Sequence, residues 1–133
     1  MIIAYCDGAC QGNPGPMGIG VVILKENKKI KELSEFIGMG TNNIAEYTAV
    51  LRALEEIKKL DENEVLIRSD SQLIIRQLNN EYKVKELHLK ELKRKIDVYR
   101  SSLHIRFEHV PREKNADADL LSKEAIEKAL RFL

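Results

Sequence analysis

The sequence contains no tryptophan, only three prolines and two cysteines, and aromatic residues make up just 5% of its 133 positions. Cys6 and Cys10 lie too close together along an extended segment for a structural disulfide. Neither has a His or Cys partner at zinc-binding spacing, so we expect reduced thiols, as in intracellular proteins. The sequence also has no signal peptide and no apolar run of membrane length, and we therefore expect a cytoplasmic protein with no membrane partner.

Neither sign of charge dominates the composition. The 22 Lys and Arg residues nearly balance the 21 Asp and Glu residues, which gives a formal net charge of +1. Without a global basic field, a polyanionic partner has to be held by a local patch. The length, with a hydrophobic content of 44%, is that of one globular domain whose core holds several strands and helices.

Residues 2–20 (IIAYCDGACQGNPGPMGIG) combine an apolar run, a carboxylate and many turn-forming residues. The apolar run at residues 2–5 predicts a buried strand that ends in Asp7, and residues 20–24 predict a second strand. The glycines and prolines between them predict a loop in which the backbone can closely approach a ligand. Aspartates are common at strand ends, so a simple hairpin explains Asp7 equally well on this pattern alone.

The middle of the chain predicts a strand followed by a long helix. Residues 30–38 favour a third strand, although their apolar residues also fit a helical stripe. A helix is expected from about residue 43 to residue 60, and Glu46 flanks its apolar face. Asn43 and Glu46 also have the spacing of a capping box, which on spacing alone is the preferred interpretation. The apolar face consists of Tyr47, Val50, Leu51, Leu54 and Ile57.

A fourth strand is predicted over residues 64–69, and Asp70 follows it immediately before a helix. Such a position marks the carboxyl edge of an α/β sheet, where functional sites tend to lie. Aspartate is also a favourable N-cap residue, so Asp70 has a purely structural interpretation as well.

The last third of the chain predicts an amphipathic helix over residues 87–101, a half-buried strand over residues 103–108, and a final helix. Asp117 and Asp119 fall in the first turn of the final helix, where acidic residues also favour the helix dipole. Leu121, Ala125 and Ala129 are expected to pack this helix on the sheet.

Carboxylates therefore occur at the ends of four predicted elements: Asp7, Glu46, Asp70, and either Asp117 or Asp119. Like charges gathered at one place cost free energy unless cations neutralise them. Carboxylate oxygens are suitable ligands for Mg²⁺ or Mn²⁺, and two such ions about 4 Å apart can hold the attacking and leaving oxygens of a phosphoryl displacement. Spacing along the sequence does not by itself prove that the four converge.

Four motifs follow one another along the chain: YCDGACQGNPGPMGIG, TNNIAEYTAVLRAL, IRSDSQLIIRQL and VPREKNADADLLS. In order and spacing they resemble the type 1 ribonuclease H family over nearly the whole chain. The resemblance implies an α/β fold of the RNase H-like type, a mixed five-stranded sheet with its first three strands antiparallel, flanked by helices. It also implies an endonuclease that hydrolyses the RNA strand of RNA–DNA hybrids and leaves 5′-phosphate and 3′-hydroxyl ends.

The resemblance assigns the metal-binding carboxylates to Asp7, Glu46, Asp70 and Asp119, with two Mg²⁺ ions, or Mn²⁺, per active site with substrate. Asp119 is preferred to Asp117 because it fills the aspartate of the family's Asn-x-x-Ala-Asp pattern. In the family pattern Asp7 bridges both ions, Glu46 and Asp70 bind one of them, and Asp119 binds the other.

Contacts with the hybrid are likewise implied at Cys10, Asn13, Thr41, Asn42, Asn43 and Gln72. Neutral groups at loops and helix starts are suited to hydrogen-bonding ribose 2′-hydroxyls, although turn and cap chemistry also explains them. Thr41 matches a position that helps to hold a phosphate of the DNA strand. His109 and Arg112 are both candidates for the group that assists turnover, and the sequence does not choose between them.

Some relatives carry a basic protrusion between their third and fourth helices, and the short connection over residues 79–86 indicates that it is absent here. The basic run at residues 83–95 is a candidate substitute, although such runs more often form a solvated helix face.

We expect a single stand-alone catalytic domain over residues 1–133, monomeric and without a separate hybrid-binding module. Whether double-stranded RNA is also cleaved stays open.

Two other functions are compatible with the same fold. One is a catalytically inactive module that binds hybrids, and the intact set of four carboxylates argues against it. The other is a different nuclease, such as a transposase core or a Holliday-junction resolvase. The missing insertions and the Asn and Gln positions implied to contact the hybrid argue against this second alternative.

Overall fold

The computed structural model of the protein describes residues 1–132. Its five strands are β1 (Ile2–Cys10), β2 (Gly15–Lys25), β3 (Lys28–Gly40), β4 (Glu64–Ser69) and β5 (His104–His109). They form one sheet in the order β3-β2-β1-β4-β5. The pairs β1–β2 and β2–β3 are antiparallel, whereas β4 runs parallel to both β1 and β5. This arrangement confirms the predicted mixed sheet.

Four α-helices flank the sheet: α1 (Asn42–Ile57), α2 (Gln72–Leu78), α3 (Leu87–Val98) and α4 (Ala116–Leu130). α1 packs on the face of β1 that carries Gly8, and α4 packs on the opposite face, over Gly18 and Gly20 of β2. α2 and α3 lie on the α1 side, where α2 contacts β5 and α3 contacts α1. The predicted helix over residues 87–101 is thus α3 followed by a 3₁₀ turn, Tyr99–Ser101.

The core lies between the sheet and α1. The alternate residues Ile2, Ala4 and Cys6 of β1 are buried, as are Val65 and Ile67 of β4, because successive side chains of a strand point to opposite faces. The apolar face of α1 covers them as predicted, except that Leu51 is only partly buried. On α4 the packing stripe is Ala118, Ser122, Ala125 and Ile126 rather than the predicted one, in which Leu121 and Ala129 are only half-buried.

The predicted end of the first strand at Asp7 was wrong. β1 continues to Cys10 because β2 pairs with it as far as Cys10 and Met17, so the predicted long loop shrinks to residues 11–14. β4 stops earlier and pairs with β1 only as far as Cys6 and Ser69. Asp7 therefore lies in the part of β1 that extends beyond its parallel neighbour.

The capping interpretations of two acidic residues were also wrong. Thr41, not Asn43, is the N-cap of α1, and its hydroxyl accepts a hydrogen bond from the Ile44 amide at 3.3 Å. The Glu46 carboxylate instead accepts from the backbone N–H of Gly8. Likewise Ser71, not Asp70, is the N-cap of α2. Both carboxylates are therefore free of the structural role that the sequence suggested.

Among residues 1–132, none of the helices is both long enough and apolar enough to cross a membrane.

Candidate active site

Three carboxylates meet where β1 extends past β4. Asp7 comes from β1, Glu46 from the first turns of α1, and Asp70 from the residue after β4. Each offers one oxygen, and these three oxygens lie within 4.8 Å of one another. β1 pairs with β2 as far as Cys10 but with β4 only as far as Cys6, and this offset leaves room for the cluster at the carboxyl end of β4.

Glu46 reaches the cluster because α1 lies directly on β1. Gly8 allows the approach, since a Cβ at this position would overlap the backbone of Ala45 and Glu46. The Gly8 N–H then donates to Glu46 Oε1, which orients the carboxylate towards Asp7. A glycine that the sequence presents as a turn former thus serves to bring a helix close to a strand.

Asp70 is held by Asn115, a residue that the sequence singles out only as the first position of the Asn-x-x-Ala-Asp pattern. The Asn115 side chain is 1% exposed, and its Nδ2 donates to the Cys6 carbonyl at 2.9 Å and to Asp70 Oδ2 at 3.4 Å. It therefore links the end of β1 to the carboxylate after β4. The burial of an asparagine before a helix was not visible in the sequence.

Asp119 lies beside Asp7, on the α4 side of the cluster. Its side chain hydrogen-bonds with that of Asp7, and Lys123 Nζ donates to its Oδ2 at 2.9 Å. Asp117 is exposed and lines a separate depression with Tyr5 and Leu24, on the face of the sheet on which α4 lies. Of the two aspartates in the first turn of α4, the one nearer the cluster is therefore Asp119.

The crowded carboxylates perturb each other's protonation. Burial raises the pKa of Asp7 to about 8, and its hydrogen bond with Asp119 and the charge of Asp70 act in the same direction. Burial, and then the charge of Asp7, raises the pKa of Glu46 well above its usual range. Burial alone would raise the pKa of Asp119, but hydrogen bonds with Lys123 and Asp7 outweigh it and lower the pKa. Burial therefore disfavours the charged forms of Asp7 and Glu46.

The four carboxylates line one open depression of about 510 Å³. Six other polar or charged side chains line the depression, and they are Cys10, Asn42, Asn43, Ser71, Arg112 and Lys123. Four of the predicted substrate or turnover residues lie outside it: Asn13, Thr41, Gln72 and His109. The depression thus combines a strongly acidic floor with neutral amides and two cationic side chains at its rim.

The residues outside the depression have identifiable positions near it. Asn13 Oδ1 accepts from the Asn42 N–H at 3.1 Å, so the loop after β1 adjoins the start of α1. Thr41 uses its hydroxyl as the N-cap, and Gln72 is the exposed first residue of α2. His109 is exposed at the end of β5, opposite Ser69 in the parallel register.

The donor set fits a hard divalent cation. Three carboxylate oxygens close together repel one another, and an ion of the Mg²⁺ type would be bound by one or two of them directly, with water and phosphate oxygens completing its shell. The cluster has no imidazole or thiolate among its three members, so it lacks the donors that favour zinc. The residues present therefore fit Mg²⁺ or Mn²⁺.

The chain is similar to known proteins over nearly its whole length. A family model described as reverse transcriptase-like matches residues 5–125. Ribonuclease HI of Halobacterium salinarum is 35% identical over 128 residues, which cover 95% of this chain and 64% of that protein. Among solved structures, the crystal structure of LC11-RNase H1 in complex with RNA/DNA hybrid superposes with a TM-score of 0.92. The two sequences are 50% identical, and the match covers 98% of this chain and 99% of that chain. The chain belongs to the type 1 ribonuclease H family.

Some ribonuclease H relatives are much longer than this chain. The bifunctional protein Rv2228c of Mycobacterium tuberculosis is 34% identical over 131 residues, which cover 96% of this chain but 36% of that protein. The chain therefore spans about a third of the length of this relative. The solved N-terminal RNase H domain of that protein matches 94% of this chain with a TM-score of 0.90, so the shared part is the ribonuclease H domain.

Proposed function

We propose that the protein is an endoribonuclease that hydrolyses the RNA strand of RNA–DNA hybrids and leaves 5′-phosphate and 3′-hydroxyl ends. The observation that carries the proposal is the convergence of Asp7, Glu46, Asp70 and Asp119 in one depression. The proposal is supported by the similarity to LC11-RNase H1, whose structure is described with an RNA/DNA hybrid bound.

The four carboxylates would hold two divalent ions, Mg²⁺ or Mn²⁺. Glu46 and Asp70 would hold one ion together with Asp7, while Asp119 would hold the second ion with Asp7. When bound, such ions supply Lewis-acid stabilisation of the attacking and leaving oxygens. The protein's own contribution is to hold the carboxylates together and to offset their repulsion through hydrogen bonds from the Gly8 N–H, the Asn115 amide and the Lys123 ammonium.

Recognition of RNA would come from neutral groups beside the acidic floor. Asn42 and Asn43, at the start of α1, and Cys10, at the end of β1, line the depression. Amides both donate and accept hydrogen bonds, as a ribose 2′-hydroxyl requires. Asn13 would extend this surface through its contact with Asn42. Thr41 and Gln72 are proposed as peripheral contacts.

Arg112, rather than His109, is proposed to assist turnover. Arg112 lines the depression and its charge lowers the pKa of Asp119, whereas His109 does not line it. A guanidinium at this place would stabilise negative charge that develops on a phosphate oxygen. It would not act as a proton donor, because arginine stays protonated.

The domain is proposed to act as a monomeric catalytic unit with no basic protrusion. The connection between α2 and α3 spans residues 79–86, and the basic run at residues 83–95 is partly neutralised. Lys93 pairs with Asp97 at 2.7 Å, and Arg94 pairs with Glu91 at 2.6 Å. An inactive binding module is the less favoured alternative, because the carboxylates not only are present but meet in one place.

One assay tests the activity. Labelled RNA–DNA hybrid, double-stranded RNA and double-stranded DNA are incubated with the protein, with Mg²⁺ or with EDTA, and the ends of the products are mapped. We expect cleavage of the RNA strand of the hybrid only with Mg²⁺ and no cleavage of DNA. Binding of the hybrid without cleavage in Mg²⁺ or Mn²⁺ would identify an inactive module instead.

A further inference from the structure

A buried serine of α4 contacts the candidate metal cluster from behind. Ser122 is 0% exposed, and its hydroxyl lies 3.0 Å from Asp7 Oδ2 and 2.7 Å from the Asp119 carbonyl oxygen. It is not one of the residues that line the depression, so it does not face substrate directly. Its contact with Asp7 is nonetheless a direct hydrogen bond to a proposed ligand.

Two glycines of β2 bring this serine within reach. A Cβ on Gly20 would overlap the Ala118 carbonyl oxygen, and a Cβ on Gly18 would overlap the Ser122 carbonyl oxygen. Asp7 is the cross-strand partner of Gly20, so the two residues share the face of the sheet on which α4 lies. The helix can therefore settle directly on the β1–β2 ladder, with Ser122 against the carboxylate.

The serine hydroxyl has one hydrogen and two acceptors within reach. The Asp119 carbonyl already accepts the helical hydrogen bond from the backbone N–H four residues later, so it does not need the serine hydroxyl as a donor. Asp7 is only 5% exposed, and once a bound cation has displaced its proton it would be a charged acceptor, for which hydrogen bonds are stronger. We therefore expect the serine hydroxyl to donate to Asp7 rather than to the Asp119 carbonyl.

We propose that Ser122 is a positioning residue that holds Asp7 Oδ2 and thereby fixes the rotation of the carboxylate proposed to lie between the two metal ions. The inference rests on the proposed function, since it assigns a role towards the ions that Asp7 would bind. Hydrogen bonds to ligating carboxylates orient the ligand and raise metal affinity, and their loss typically costs about 10- to 100-fold in affinity or activity. Ser122 would act through Asp7 and not by touching substrate.

The test compares Ser122→Ala with Ser34→Ala in the full chain. Ser34 is a matched control, because its hydroxyl also donates to α4, to the Leu121 carbonyl at 2.7 Å, but reaches no carboxylate. Mg²⁺ alone is titrated into each protein by calorimetry, and hybrid cleavage is measured over a range of Mg²⁺ concentrations. Unfolding by urea in EDTA verifies that each variant is folded.

We expect Ser122→Ala to bind Mg²⁺ about tenfold or more weakly than the parent. Its kcat should fall at limiting Mg²⁺ and recover as Mg²⁺ is raised, with the KM for hybrid unchanged, while Ser34→Ala should match the parent in all of these. Ser122→Cys, which keeps the volume but donates only weakly, should show the same loss if the alanine variant does not fold.

An unchanged Mg²⁺ affinity in folded Ser122→Ala or Ser122→Cys would overturn the proposal and would show that the hydroxyl serves only the helix. If the parent itself neither binds Mg²⁺ nor cleaves hybrid, the proposed function fails and the role of Ser122 fails with it. If the parent does both and the Ser122 variants do so equally well, only the role of Ser122 fails.

Discussion

Asp7 is the residue at which the constraints on the site meet. It is buried in β1, it is hydrogen-bonded to Asp119 and Ser122, and it lies close to Glu46 and Asp70. Burial, and then the neighbouring carboxylates, raises its pKa to about 8, which favours its protonated form near neutral pH in the absence of cations. A bound divalent ion would displace that proton, so metal binding is expected to tighten as the pH rises.

We predict that Asp7→Asn abolishes hybrid cleavage without loss of folding. The folded parent binds more protons than the unfolded chain between the usual pKa of 3.8 and the folded pKa of about 8. The stability of the metal-free parent should therefore fall as the pH rises through this window, by up to about 1.4 kcal/mol per pH unit for one proton. The amide that replaces the carboxylate does not titrate, so urea unfolding in EDTA should show the variant equal to the parent at low pH and more stable at high pH. Near-parental cleavage by this variant in saturating Mg²⁺ would contradict the carboxylate assignment.

A second prediction separates the two aspartates at the start of α4. Asp119→Asn should remove most of the activity, because Asp119 lies beside Asp7 and lines the depression. Asp117→Asn should leave activity intact and cost about 0.3–1 kcal/mol of stability, since an exposed acidic residue there only favours the helix dipole. The measurement is the cleavage rate of each variant at saturating hybrid and Mg²⁺. If Asp117→Asn loses activity and Asp119→Asn keeps it, the metal ligand is Asp117.

At the scale of elements, close approaches of helices to strands build the site. Gly8 lets α1 lie on β1, and Gly18 and Gly20 let α4 lie on β2. The helices carry Glu46 and Asp119 to opposite sides of Asp7, so the spacing of the carboxylates depends on how closely each helix packs. The edge of the sheet alone would supply only Asp7 and Asp70.

We therefore predict that Gly8→Ala weakens Mg²⁺ binding as well as stability. The new Cβ would overlap the α1 backbone at Ala45 and push Glu46 away from Asp7, at a cost of about 1–3 kcal/mol. Gly38→Ala is the control, because a Cβ there meets nothing within 4 Å and only the positive φ of 90° is strained, at about 1 kcal/mol. Calorimetry with Mg²⁺ should separate the two variants. Equal Mg²⁺ affinity in both would mean that helix distance does not control the cluster.

At the scale of the whole molecule, the balance of charge governs the binding of a polyanion. The net charge is +1, and ion pairs with Asp97 and Glu91 engage Lys93 and Arg94. Lys93 and Arg94 are therefore already partly neutralised by the protein's own carboxylates and are less available to phosphates. Each neutralised phosphate contributes about −0.9 to the slope of log affinity against log salt on B-DNA, so a shallow slope is expected for the hybrid.

We predict that replacing Lys90, Lys93 and Arg94 together by Ala raises the KM for hybrid at low salt with little change in kcat, because uniform binding is what is lost. Replacing Lys28, Lys29 and Lys58 by Ala is the control, since it removes the same charge outside the basic run, at the start of β3 and at the C-cap of α1. If both triple variants bind hybrid as the parent does, the run at residues 83–95 is only a solvated helix face.

The sequence by itself determined the order of strands and helices and the four candidate carboxylates, and its resemblance to the type 1 ribonuclease H family implied the mixed sheet. Alternation of apolar residues marks which strand face is buried, and the motif pattern alone is enough to prefer Asp119 to Asp117. The buried faces of strands and the spacing within a motif are local properties, because both are set by the chain over a few residues.

Only the tertiary structure decided which of those residues meet and what supports them. On spacing alone the capping interpretation of Glu46 was preferred to the ligand interpretation, and only the packing of α1 on Gly8 showed that its carboxylate is oriented towards Asp7. Asn115 and Ser122 gave no local indication of their roles, because a buried hydrogen bond between distant segments depends on how those segments pack. Their partners lie more than forty residues away along the chain, so only the packed fold brings them within hydrogen-bond distance.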